Sequence, residues 1–160
     1  MHIVLARIDD RLIHGQVVIG WIPQLKVDVV IVASDAAAAD ETQTALMRMA
    51  MPEGVEFLVL PVAEAALRLR DEADRRRVLA LASGPQDALR LLEHGVRVGS
   101  LNVGGLHYTA GRVQLGKAIF LSPEDKDALR AISRRGVALE GRALPGDAAT
   151  DVLEMLGGQA

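Results

Sequence analysis

The chain contains no cysteine. Disulfides, thiolate metal sites and cysteine nucleophiles are thereby excluded. Aromatic residues are almost as scarce, with one tryptophan, one tyrosine and two phenylalanines. The stacking platforms of single-stranded RNA readers need more than that. Positive charge is not in excess either: the formal net charge is −3, so bulk electrostatics give no pull towards nucleic acid. No apolar run approaches the roughly 20 residues needed to span a bilayer. The opening M-H-I-V-L-A-R lacks the charged region and the length of a signal peptide, which makes the cytoplasm the expected location. Neither H-x-x-x-H nor H-E-x-x-H occurs, so no metal site is expected. What remains is an ordinary globular composition, 50% hydrophobic over 160 residues. That suits one domain, 1–160, with a substantial core.

Apolar, β-branched runs alternate with helical patterns. Residues 2–6, 27–33, 55–60, 78–82 and 99–103 read as strands. The second and fourth are apolar almost throughout, the mark of parallel strands covered on both faces. Helical patterns fill the gaps at 17–25, 40–51 and 62–72, and in a segment entered by Pro85 and left at Gly95. Residues 114–121 read as one further strand, irregular at Gly116. Ser122 is a good N-cap for a helix with Pro123 at its first position, Glu124 and Asp125 in its first turn, and Gly136 at its end. Residues 137–143 alternate; carrying Glu140 and Arg142, they belong at or near a sheet edge. A closing helix is expected over 147–156. The pattern predicts an α/β fold: a central, mostly parallel sheet flanked by helices on both faces, with irregular or antiparallel edge strands near the C-terminus.

The densest chemistry lies at the first strand-to-helix turn, R-I-D-D-R-L-I-H-G-Q-V, from Arg7 to Val17. In an open α/β sheet, ligands collect outside the carboxyl ends of the strands. A helix beginning at Gly15 exposes unpaired N–H groups and a partial positive charge, and both favour an anion. The same field disfavours an imidazolium at His14 and so favours a neutral, nucleophilic ring. Gly15 and Gln16 stand where backbone can approach a phosphoryl group closely. Arg11 or Arg7 can supply a bidentate pair of donors to its oxygens. Asp9 or Asp10 can hold one ring nitrogen and leave the other free to attack. A bland loop of Asp–Arg pairs with a capping histidine is the competing interpretation, and for an isolated D-x-x-x-H it would prevail. The density of this cluster favours a histidine that accepts a phosphoryl group. Serine phosphate would be too stable to pass on. An aspartyl phosphate would need an acidic magnesium pocket; Asp9, Asp10 and Asp35 could mimic one, so that alternative stays open.

The other candidates are weaker. His2 is a strand residue, and His94, just before Gly95, suits the C-terminus of a helix. His107 follows N-V-G-G and either faces the same edge as His14 or is a solvated loop residue. G-R-V-Q-L-G-K-A, from Gly111 to Ala118, is one residue short of a P-loop. Ala118 replaces the hydroxyl that would reach magnesium, and a strand-like run follows instead of a helix, so nucleotide binding is excluded. Arg112 and Lys117 remain as positive charge for a partner surface around His14, together with Arg7 and Arg11. Asp35, after the second strand, is either a site residue or a turn former.

The first motif resembles the phosphorylation-site loop of IIB components of the mannose/sorbose family of the bacterial sugar phosphotransferase system. Further similarities follow in the same order: Ser34-Asp35 after V-D-V-V-I-V-A, M-R-M-A-M-P-E-G-V from Met47, L-N-V-G-G-L from Leu101, and G-V-A-L-E-G-R-A-L-P from Gly136. Together they span nearly all of the chain. The resemblance implies a phosphocarrier, a transferase subunit that takes a phosphoryl group from a phosphorylated IIA domain onto His14. Membrane IIC and IID components would hold the sugar that receives it, bringing the chain to the inner face of the membrane. A sheet flanked by helices is implied too, with no cofactor and no nucleic-acid partner; a homodimer stays open. The loop L-H-Y-T-A-G-R, from Leu106 to Arg112, belongs to a variable part of the family pattern, and no sugar is read from it. The alternative is a regulatory phosphocarrier in an incomplete phosphotransferase chain without sugar transport. Adjacent IIC and IID genes would favour transport.

Overall fold

The five apolar runs become five parallel strands in a computed structural model that describes residues 1–157. β1 (His2–Asp9) leads into a π-helical turn, Gln16–Trp21, which continues as α1 (Ile22–Leu25). β2 (Val29–Ala33) is followed by α2 (Asp35–Ala38) and α3 (Glu41–Ala50), then β3 (Glu56–Leu60) and α4 (Val62–Leu69). β4 (Arg77–Ala82), α5 (Pro85–Glu93) and β5 (Ser100–Gly105) complete the regular part. β6 (Val113–Gln114) and β7 (Phe120–Leu121) form a separate antiparallel ribbon. α6 (Pro123–Arg134), β8 (Ala138–Gly141), β9 (Thr150–Asp151) and α7 (Val152–Met155) follow. The main sheet runs β3-β2-β4-β1-β5-β8-β9, and only β9 in it is antiparallel to its neighbour.

Why the strands read as unbroken apolar runs is visible in the core. Val30, Val32, Leu79 and Leu81 pack under Trp21, Ile22 and Met47 on one face. Val29, Ile31, Ala33, Val78 and Ala80 pack against Val62, Ala65, Ala66, Leu69 and Leu91 on the other. Successive side chains point to opposite faces, so a strand covered twice needs apolar residues at every position. The α4 residues fall at i, i+3, i+4 and i+7, the spacing of a helix that buries one stripe. Ser122 and Asp125 form a reciprocal capping box at the start of α6, which fixes where that helix begins.

Three departures from the sequence pattern have local causes. Residues 114–121 are a hairpin rather than one strand, because the chain turns back at Gly116 and both Leu115 and Gly116 donate to the Ile119 carbonyl. The closing helix starts only at Val152. Asp147 accepts from the Leu144 N–H to close a turn, and Asp151 accepts from the Glu154 N–H to cap α7. β1 runs on to Asp9, since Arg7, Ile8 and Asp9 pair with Asn102, Val103 and Gly105 of β5. β8 lies second from the edge, and its Glu140 carboxylate is paired with Arg142 at 3.0 Å. Among the described residues, no helix is long and apolar enough to cross a membrane.

Candidate functional site

The site is built at the carboxyl end of β1, where the strand's face alternation sets its parts. Ile8 packs into the core beneath α5 and α6. Arg7 and Asp9 point the opposite way, under the first helix, where the Arg7 guanidinium lies 5.3 Å from the Trp21 ring centre. Beyond Asp9 the chain turns, the Leu12 N–H donating to the Asp9 carbonyl at 3.1 Å. Leu12 is left-handed, with φ 57. Such backbone costs a branched residue on the order of 1–3 kcal/mol. Its side chain is 2% exposed, and burying a leucine returns about 1.5–3 kcal/mol. A buried anchor, rather than a glycine, therefore turns the loop and delivers His14 to the start of the helix. The His14 carbonyl accepts the N–H groups of Val17 and Val18. The N–H groups of Gly15 and Gln16 come before the first intrahelical bond and have no helical carbonyl to reach.

Asp9 is the hub. Its side chain is fully buried. One oxygen accepts the Arg11 backbone N–H at 3.1 Å and Arg11 Nε at 2.9 Å. The other accepts Arg11 Nη2 at 2.9 Å and Arg7 Nη2 at 3.0 Å, and it lies 3.0 Å from His14 Nε2. Burial alone would raise the Asp9 pKa, but the hydrogen bonds from His14 and Arg11 more than reverse this and hold it well below the usual carboxylate range. An ionised carboxylate only accepts, so Nε2 must carry the ring proton of a neutral His14, and Nδ1 keeps the lone pair. The His14 side chain is 16% exposed, enough for one edge of the ring to meet solvent.

Arg11 is 31% exposed and also donates from Nη2 to Gln16 Oε1 at 2.9 Å. Its Nη1 makes no hydrogen bond among the described residues. Arg7 departs from the expectation that it lines a phosphate site. It is buried beneath Asp9 and spends its two Nη groups on Asn102, Asp9 and the carbonyls of Arg142 and Ala143. Its side chain is closed to solvent. Its room is made by Gly104: a β-carbon there would overlap the Arg7 guanidinium. Gly104→Ala must therefore displace Arg7 and unseat Asp9. We expect a stability loss of at least about 1–3 kcal/mol, visible as a lower thermal midpoint, while Gly15→Ala, with open space around its Cα, leaves the midpoint nearly unchanged.

Asp10 also departs from one of the roles open to it, because it does not touch His14. It accepts the His107 backbone N–H at 2.7 Å and meets His107 Nδ1 at 2.5 Å. Arg112 bridges Asp10 at 3.4 Å and Asp125 at 3.2 Å. It is thus held between two carboxylates. Lys117 is exposed in the turn of the hairpin. Asp35 accepts the Val62 N–H and pairs with Arg90 at 3.0 Å, a local contact with α4 and α5 that does not join it to His14. Sequence reasoning missed Asn102, Gly104 and Trp21. The N-V-G-G run carried the signal for Gly104, since adjacent glycines at a strand end often mark a close approach.

The family model for the PTS system sorbose subfamily IIB component matches residues 3–160. The PTS system sorbose-specific EIIB component of Klebsiella pneumoniae is 35% identical over 157 residues, covering 98% of this chain and 96% of that protein. The mannose-specific EIIAB component of Escherichia coli (strain K12) is 37% identical over 158 residues, and this chain spans 49% of its length. The crystal structure of the IIBSor domain of the sorbose permease from Klebsiella pneumoniae superposes with a TM-score of 0.93 at 34% identity, covering 100% of this chain and 99% of that one.

Proposed function

Since the chain belongs to the sorbose subfamily of phosphotransferase-system IIB components, we propose that it carries its phosphoryl group on Nδ1 of His14. The donor is a phosphorylated IIA domain, and the acceptor is a sugar held by membrane IIC and IID components, where the chain docks at the cytoplasmic face. One observation carries this reading: a buried, multiply bonded Asp9 carboxylate grips Nε2 and leaves Nδ1 as the nucleophile. The Nδ1 lone pair attacks phosphorus while the donor nitrogen departs with its own electron pair. Asp9 stabilises the charge that the ring gains as the bond forms. The open Nη1 of Arg11, the Gln16 amide and the N–H groups of Gly15 and Gln16 are placed to receive the phosphoryl oxygens. Transfer of this kind depends mainly on positioning and charge stabilisation.

The test is phosphorylation by the general phosphotransferase proteins and a cognate IIA, followed by mapping of the label. The expected product is acid-labile phosphohistidine at His14, substituted at Nδ1 by its nuclear magnetic resonance couplings. Label on Asp35, or on Nε2, would overturn the assignment. Arg11 supplies a graded check. Arg11→Gln is expected to slow single-turnover transfer by about 10²–10³-fold, as does losing one oxyanion-hole donor. Arg11→Lys should lose less, because it keeps charge and gives up only the fork.

A further inference from the structure

Two histidines hang from two consecutive carboxylates, and the phosphocarrier reading employs only one pair. Asp10 fixes the other ring at both ends of its own carboxylate: Oδ1 lies 2.5 Å from His107 Nδ1, and Oδ2 accepts the His107 backbone N–H at 2.7 Å. Arg112 closes the clamp. It reaches Asp10 Oδ2 at 3.4 Å, donates to the His107 carbonyl at 2.8 Å, and is itself held by Asp125 of α6 at 3.2 Å. With Nδ1 committed as the donor to a carboxylate, the lone pair of a neutral His107 ring sits on Nε2. The side chain is 52% exposed. Asp10, Arg112 and, through Arg112, Asp125 are the charged groups that face it.

The second pair opens beside the first. Asp9 is paired across the sheet with Gly105, two residues before His107. A β-carbon on Gly105 would lie 3.0 Å from Arg11 Nη2, and Arg11 shares Asp9 with His14. The two histidine–carboxylate pairs thus lie at the same end of β1 and β5, with Arg11 beside Gly105.

Loading and discharge of His14 make different demands. Loading exchanges one phosphorus–nitrogen bond for another and removes no proton from the nucleophile. Discharge to a hydroxyl does. As the new oxygen–phosphorus bond forms, the Nδ1–phosphorus bond breaks and returns its electron pair to the His14 ring, while the hydroxyl proton must leave. His14 Nε2 faces Asp9 and cannot collect it. We propose that His107 Nε2 takes that proton, with Asp10 orienting the ring and stabilising the imidazolium, so that His107 is the general base for transfer to the sugar hydroxyl. The proton then passes to solvent. This inference rests on His14 being the phosphoryl carrier.

The experiment separates the two steps. Full-length wild type, His107→Gln and Asp10→Asn are first loaded from a phosphorylated IIA domain, and the loading rate is recorded. The purified phosphoproteins are then discharged into concentrated methanol, the simplest hydroxyl probe, with methyl phosphate as the product read. Discharge by His107→Gln is expected to fall about 10²-fold, at the lower end of what general acid–base groups contribute, and by far more than loading does. Asp10→Asn should show the same selective loss, less severely. Equal discharge in wild type and His107→Gln overturns the proposal, as does a loss that is the same in both steps. Failure of the wild type to load at His14 would instead overturn the carrier reading beneath it.

Discussion

His14→Ala is expected to yield a folded chain that accepts no phosphoryl group. The ring is not part of the apolar core, and its one side-chain hydrogen bond among the described residues is to the Asp9 carboxylate. Its loss leaves Asp9 with the donors of Arg7 and Arg11. Alanine suits the start of a helix no worse than histidine. The stability change should therefore stay near that of an ordinary surface substitution, within about 0.5–1 kcal/mol. In a chain of this size, that amounts to a shift of roughly 1–4 °C in the thermal midpoint. Labelling, by contrast, should drop to background, since among the described residues no other side chain presents a nucleophilic nitrogen held on a fully buried carboxylate. His107 is the internal control, because its carboxylate partner is part exposed. Label that persists in His14→Ala and maps to His107 would exchange the roles of the two rings.

How far the sequence revealed this site depends on which interactions were local. The candidate nucleophile, His14, could be singled out because a histidine between a strand and a glycine is a local pattern. The strands at β2 and β4 were legible because burial on both faces leaves unbroken apolar runs. The partner of His14 was not. Asp9 and Asp10 are neighbours, and which of them faces the ring depends on where β1 ends. A strand ending at Ala6 gives no parity to the residues beyond it. Once the strand reaches Asp9, Arg7 and Asp9 share one face at i and i+2, and Asp10 leaves towards β5. That extra length comes from pairing with Asn102, Val103 and Gly105, nearly a hundred residues away in sequence. The same long-range contact buries Arg7, which by composition alone looked like a surface cation. Nor was the π-helical turn at Gln16–Trp21 legible, since its apolar spacing resembles that of an ordinary helix. Such turns are rare, and they recur at functional sites.

Asp9→Asn should be the most damaging single change, with separate losses in rate and in stability. The rate falls because an amide does not dictate which ring nitrogen keeps its proton. In a serine–histidine–aspartate triad, the corresponding change costs about 10⁴ in turnover, and a loss of that order is expected in single-turnover loading of His14. The stability falls because Arg7 is left fully buried beside a neutral amide. Removing one partner of a buried pair costs about 3–5 kcal/mol, which for a domain of this size is a midpoint lower by roughly 6–20 °C. The folded-state pKa of Asp9 lies below its unfolded value, so the unfolded chain binds the proton first as pH drops. The stabilisation that Asp9 supplies is complete above the ordinary carboxylate range, near pH 4, and is lost as pH falls from there towards the depressed folded value. Asparagine has no such proton to take up. The gap in unfolding free energy between wild type and Asp9→Asn, measured by denaturant titration, should therefore be wide at neutral pH and narrow below about pH 4. A gap of the same width at both pH values would mean that the buried charge of Asp9 does not hold Arg7, Arg11 and His14 together.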